Sequence, residues 1–140
     1  MKILFRIAAL AATVALTAGC CNCRSYQKKT RRPLEGTEWQ LIQLDGRSVK
    51  AAPETFVLKL ENGSVSGAGA CNRLMGSYKT GERRALKIGP LATTKMACPN
   101  LDQEQQFLRA LESTTHYDMD GPMMLLLSNG ELHAVFQALP

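Results

Sequence analysis

Histidine is scarce in this chain of 140 residues, present only twice, and tryptophan occurs once. Two imidazoles, His116 and His133, are background in a chain of this length, so a thiol nucleophile with a His base is not expected. No Cys or His pair in the body of the chain has the close spacing that makes a zinc site credible. Cys21-Asn22-Cys23 is the exception, and it sits in a segment too flexible to hold an ion. No catalytic residue, metal or cofactor is therefore expected. Aromatic residues make up 6% of the chain, and none is interleaved with its basic run as a base-stacking platform would require, so no nucleic-acid role is expected. Long apolar runs are missing as well: Ile7 to Ala18 is too short to span a bilayer. Only one stretch has helical periodicity. What remains is 45% apolar residues in a one-domain length, enough for a single buried core.

Lys2 and Arg6, then the apolar run, then small residues, make residues 1–19 a secretory signal. It ends Leu16-Thr17-Ala18-Gly19-Cys20, which resembles the bacterial lipobox, with Thr17 where that pattern prefers Leu. The resemblance implies lipidation of Cys20 and anchoring in a membrane of the cell envelope, on the periplasmic side of the inner or outer membrane. Residues 20–33 then read as a lipidated basic tether, carrying Arg24, Lys28, Lys29, Arg31 and Arg32. From Pro33 onward ten basic residues stand against twelve acidic ones, so the +5 net charge belongs to the N-terminal segments. A basic tether beside a lipid suits an anionic membrane surface.

With Cys20 lipidated, four cysteines remain and allow three pairings. Cys21 and Cys23 lie in the tether, where no fold positions them, which favours Cys71 with Cys98. Such a bridge would close a glycine-rich bend, Gly67 to Tyr78, onto the segment Thr94 to Pro99. The glycines there suit close backbone approach or positive φ.

Along the rest of the chain, Gly36 to Leu44 reads as a strand with Trp39 in the core and Asp45-Gly46 as its turn. Glu54 to Glu61 alternates and meets Asn62-Gly63, a type I′ hairpin signal. That hairpin pairs Glu61 with Ser64, Leu60 with Val65, Leu58 with Gly67 and Phe56 with Gly69. Short strands are expected at 76–81 and at 85–88, the latter ending at Gly89-Pro90, with an irregular segment from Leu91 to Pro99. A helix follows, with Asn100 and Gln103 as a capping box and Leu101, Glu104, Phe107, Leu108 and Leu111 on or beside its apolar face. A second hairpin at Asn129-Gly130 pairs Leu127 with Leu132, Leu125 with Ala134 and Met123 with Phe136, the barrel interior on one side and the helix on the other. The fold class is α+β, a small split antiparallel β-barrel with one packed α-helix.

Gly36-Thr37-x-Trp39, Ala70-Cys71-Asn72-x-x-x-Gly76-x-Tyr78 and Thr94-x-Met96-Ala97-Cys98-Pro99, in this order before the helix and closing hairpin, resemble the META domain, the HslJ-like domain of bacterial heat-shock lipoproteins. Residues 34–140 form that expected domain, with Trp39, Asn72, Gly76, Tyr78, Thr94, Met96 and Pro99 as its motif. The chain departs at Ala70, where Gly is common. The resemblance implies an envelope protein linked to stress such as heat or antibiotic exposure, with no catalytic residue to carry over.

Two function classes follow. One is a non-enzymatic binding module contacting another envelope protein. The other is a carrier of a small hydrophobic or lipid ligand within a barrel lined by Met75, Met96, Met119, Met123 and Met124.

Overall fold

Three tight turns set the sheet, each with positive φ at both central residues: Asp45-Gly46 (45° and 78°), Asn62-Gly63 (51° and 77°) and Asn129-Gly130 (51° and 88°). The computed structural model describes residues 20–140, with side chains from residue 23; the expected signal, residues 1–19, and the Cys20 side chain lie outside the described residues. The strands are β1 (Glu38–Leu44), β2 (Arg47–Ser48), β3 (Val57–Glu61), β4 (Ser64–Ala68), β5 (Arg73–Thr80), β6 (Leu86–Thr93), β7 (His116–Asp120), β8 (Met123–Ser128) and β9 (Glu131–Ala138). Helix α1 (Cys20–Thr30) precedes them and α2 (Leu101–Glu112) joins β6 to β7.

The sheet is antiparallel throughout, in the order β6-β5-β4-β3-β1-β9-β8-β7, with β2 paired to β1. Its two ends touch at one point, where Ala85 bridges His116 and the Leu86 N–H donates to the Thr115 carbonyl at 2.9 Å. Beyond this point, and the Arg84–Asp118 ion pair beside it, no ladder joins β6 to β7 among the described residues, which makes the barrel split. The interior holds Trp39, Leu41, Leu58, Leu60, Phe136 and their neighbours, all buried. Helix α2 inserts Phe107 among them, edge-on to Phe56 (centroids 5.4 Å, 85°) and 6.1 Å from Phe136. The helix thus joins the interior and does not pack on the opposite side of the closing hairpin as the sequence suggested.

The first hairpin has the expected register, Glu61 opposite Ser64, Leu60 opposite Val65 and Leu58 opposite Gly67. Gly67 is needed there for space: a Cβ would lie 2.0 Å from the Val57 carbonyl oxygen. Gly67, Gly69 and Gly76 are therefore close-approach glycines, none of them at positive φ. Strand β3 begins one residue after Phe56, whose φ of 50° turns its ring toward Phe107. The Phe56 N–H still donates to the Gly69 carbonyl at 3.1 Å.

Other expectations are corrected. Strand β6 runs through Gly89-Pro90, because these two residues bulge opposite Ser77 and Gly89 takes a φ of 104°. Proline is tolerated because β6 is an edge strand. The second hairpin keeps Leu127 opposite Leu132, but His133 is then an extra residue, so Leu126 meets Ala134 and Met124 meets Phe136. One bulge turns the rest of the hairpin over, and Met124, Leu126, Ala134 and Phe136 become the buried set. Strand β7, unread in the sequence, follows α2 directly. The expected capping box is not formed, as Asn100 makes no side-chain bond to the helix start.

The tether is also corrected, since residues 20–30 are helical. An isolated helix of this length is marginal in water. This one leans on the β7–β8 turn, where Gln27 Nε2 donates to Asp120 Oδ1 at 2.7 Å and Gly121 comes so near that a Cβ would lie 2.9 Å from Thr30 Oγ1. Lys28 and Lys29 in its last turn complement the helix dipole.

Gly67→Ala forces β3 and β4 apart at a central pairing. It should lower stability by roughly 2 kcal/mol or more, read as a fall in urea midpoint at unchanged slope.

Candidate functional site

The loop between β4 and β5, Gly69-Ala70-Cys71-Asn72, wraps a carboxylate. Glu104 lies on the inward side of α2 and is 3% exposed, rare burial for an acid. Its Oε2 accepts the backbone N–H groups of Cys71 (2.9 Å) and Asn72 (3.0 Å). Successive backbone N–H groups converging on one anion form a nest. Oε1 accepts Asn72 Nδ2 at 2.6 Å. Gly69 makes the approach possible, because a Cβ there would sit 2.5 Å from Glu104 Cγ. Burial pushes this carboxyl upward, but the donors from Cys71, Asn72 and Ala70 together outweigh it and hold the acid below its usual range.

Asn72 carries the contact onward. Its Nδ2 donates to the Met96 carbonyl at 3.1 Å while its Oδ1 accepts the Met96 N–H at 2.7 Å, so one amide grips both polar groups of one residue. Oδ1 also accepts from Thr94 Oγ1 at 2.9 Å, and that hydroxyl accepts the Arg73 N–H at 3.1 Å. These bonds fix which end of the amide is oxygen. Asn72 thereby ties the loop to both α2 and the segment 94–99.

A disulfide closes the same junction, as the sequence favoured. Cys71 and Cys98 are bonded, with Cα atoms 6.4 Å apart and a sequence separation of 27. Both sulfurs and the Glu104 carboxylate lie within 4.8 Å of one another. In the bonded state the sulfurs offer no thiolate, and the carboxylate oxygens are occupied by N–H donors. Neither imidazole is held to this junction: His133 Nδ1 lies 2.9 Å from Asp45 Oδ1, and His116 Nδ1 3.1 Å from Thr115 Oγ1.

The motif residues divide by place. Cys71, Asn72, Thr94, Met96 and Cys98 come together here, with Pro99 exposed just before α2. Gly76 lies on β5, where a Cβ would meet the Pro90 carbonyl at 2.7 Å. Trp39 is fully buried, its Nε1 donating to the Leu34 carbonyl at 3.1 Å. Tyr78 donates its hydroxyl to Glu35, and burial followed by that acceptor raises its pKa. The expected methionine lining is split as well, with Met124 in the core while Met75 and Met96 are 64% and 58% exposed. Glu104 is the residue that sequence reasoning left without a role, although an acid on the inward side of an amphipathic helix was the available signal.

Beside the junction lies an open groove of about 730 Å³, lined by Val57, Lys59, Ser66, Ala68, Arg73 and Met75 among others. Small side chains on β4 form its floor. The Met96 side chain stands in solvent on the loop whose backbone Asn72 clamps.

Comparison with known proteins matches residues 32–139 to the META domain. No curated protein matches the chain significantly. Among solved structures, an NMR structure of a protein from Burkholderia xenovorans is 30% identical, covering 82% of this chain and 87% of its own, with a TM-score of 0.60. A crystal structure of a duf4847 family protein from Bacteroides vulgatus is 14% identical, covers 75% and 93%, and has a TM-score of 0.59. The latter likeness is one of fold.

Glu104→Gln should cost about 3 kcal/mol, since the amide turns a donor toward nest N–H groups that need an acceptor. Because the folded carboxyl sits below its unfolded pKa, its contribution is present above the unfolded value and is lost as pH falls through the folded one. Thermal melts from pH 7 to pH 2 should therefore show the gap between wild type and the variant narrowing in acid. Replacing Cys71 and Cys98 by Ser should cost about 3 to 4 kcal/mol at neutral pH, measured by urea unfolding.

Proposed function

The chain belongs to the META domain family, and from that premise we propose that it is a non-enzymatic interaction module of the bacterial envelope. In this reading it is lipidated at Cys20, held at the membrane, and acts under heat or antibiotic stress by contacting another envelope protein. The observation that carries the reading is the presentation of Met96. Its backbone N–H and carbonyl are both gripped by the buried Asn72 amide, while its side chain is 58% exposed. A pre-ordered loop loses little entropy on binding, and an exposed thioether adapts to varied apolar partners.

The polar groups of the junction support binding over chemistry, since Glu104, Asn72, Thr94 and the two cysteines are engaged with one another. The groove beside the loop extends the contact surface through Arg73 and Met75.

Deleting the gene in the native host should lower survival after heat or antibiotic exposure, and the wild-type chain should restore it. Cys20→Ala should fail to restore survival, and Met96→Asp should fail while keeping the wild-type melting temperature. Full rescue by both variants would overturn the reading. Native mass spectrometry of the delipidated domain checks the carrier alternative, for which a persistent ligand mass would be the sign.

A further inference from the structure

We infer that α1 is a membrane-facing element, docked on the barrel by one side and presenting a cationic face to anionic lipid headgroups by the other. The inference rests on the envelope reading above and specifies the partner of the N-terminal segment. Three observations carry it. Among the described residues, the contacts given between the helix and the barrel fall on one side: Gln27 bonds Asp120, and Tyr26 and Thr30 lie against Gly121, whose missing side chain makes room for them. At 100° per residue these three positions fall within one third of the helix circumference. Arg24, Lys28 and Lys29 fall on the remaining arc, each exposed, and Arg32 just beyond the helix continues the charge. Finally, α1 contains no acidic residue, while the rest of the chain from Pro33 carries more acidic than basic ones.

The match is one of charge and continuity. A run of cations just beyond an acylation site is held near the surface to which the acyl chains bind, and each Lys or Arg that reaches it adds attraction to anionic lipids. A flexible tether would supply the same attraction with no preferred orientation. A docked helix does more, because it fixes which side of the barrel approaches the membrane. The face in contact is then the one bearing α1 and the β7–β8 turn.

The test uses the mature chain, residues 20–140, unacylated and with Cys20, Cys21 and Cys23 replaced by Ser. Its partition is measured by sedimentation with vesicles of phosphatidylcholine alone or containing phosphatidylglycerol, at low and high salt. Binding should require phosphatidylglycerol, weaken with salt, and fall about fivefold for each cation removed, so that Lys28→Gln with Lys29→Gln lowers it by roughly 25-fold. The deciding variant is the exchange Gln27→Lys with Lys28→Gln, which preserves net charge but moves a cation to the docked side beside Asp120. Weaker partition for the exchange supports the helical face. Equal partition would overturn it, leaving only a charged tether, and tighter binding to a single-stranded oligonucleotide than to anionic vesicles would overturn the choice of partner. Metabolic labelling of Cys20 with fatty acid tests the anchor separately, so the two readings can fail independently.

Discussion

A buried carboxylate determines how this barrel is closed. Glu104 on α2 needs acceptable partners for its charge, and the N–H donors of the loop between β4 and β5 supply them. An unpaired charge at 3% exposure would be prohibitive. The loop must therefore turn toward the helix, and the helix must enter with that face inward, which also delivers Phe107 to the gap between Phe56 and Phe136. Specificity of helix placement thus comes from one anion, and the aromatic packing supplies the bulk of the burial.

Around that anion the connections are redundant in kind but distinct in reach. The disulfide limits how far Cys98 can drift from Cys71 in any state of the chain, folded or not. Asn72 acts only in the folded protein, where it reads the Met96 backbone as a neighbouring strand would. Gly69 contributes by having nothing in the way. These elements hold a segment without regular structure in one conformation, which is how an irregular loop can serve as a contact surface.

Much of this was legible in the residues. Asn62-Gly63 and Asn129-Gly130 announce their hairpins because few other dipeptides accept positive φ twice, and the first register follows by counting outward. Counting failed in the second hairpin because a bulge carries no composition signature there: His133 is simply one residue too many between Leu132 and Ala134. The pairing of Cys71 with Cys98 followed because Cys21 and Cys23 lie in the N-terminal segment, away from the barrel's strands. The junction with Glu104 was not readable because it joins residues more than thirty positions apart, and a lone acid among Leu and Phe gives no hint of which backbone it will meet. Helix α1 was hidden for a related reason, since its stability depends on Asp120 and Gly121, far along the chain.

Strand β6 has a bearing on what happens when two copies meet. An open sheet margin is a template for pairing with the next molecule. Here the margin is interrupted by the Gly89-Pro90 bulge, Pro90 offers no donor, and the Leu91 N–H is already taken by Glu112 Oε1 at 3.1 Å. A neighbour attempting to extend the sheet would find its ladder out of step after three residues. The bulge at Gly89-Pro90 thus breaks the regular hydrogen-bond ladder that a second copy would need along this margin.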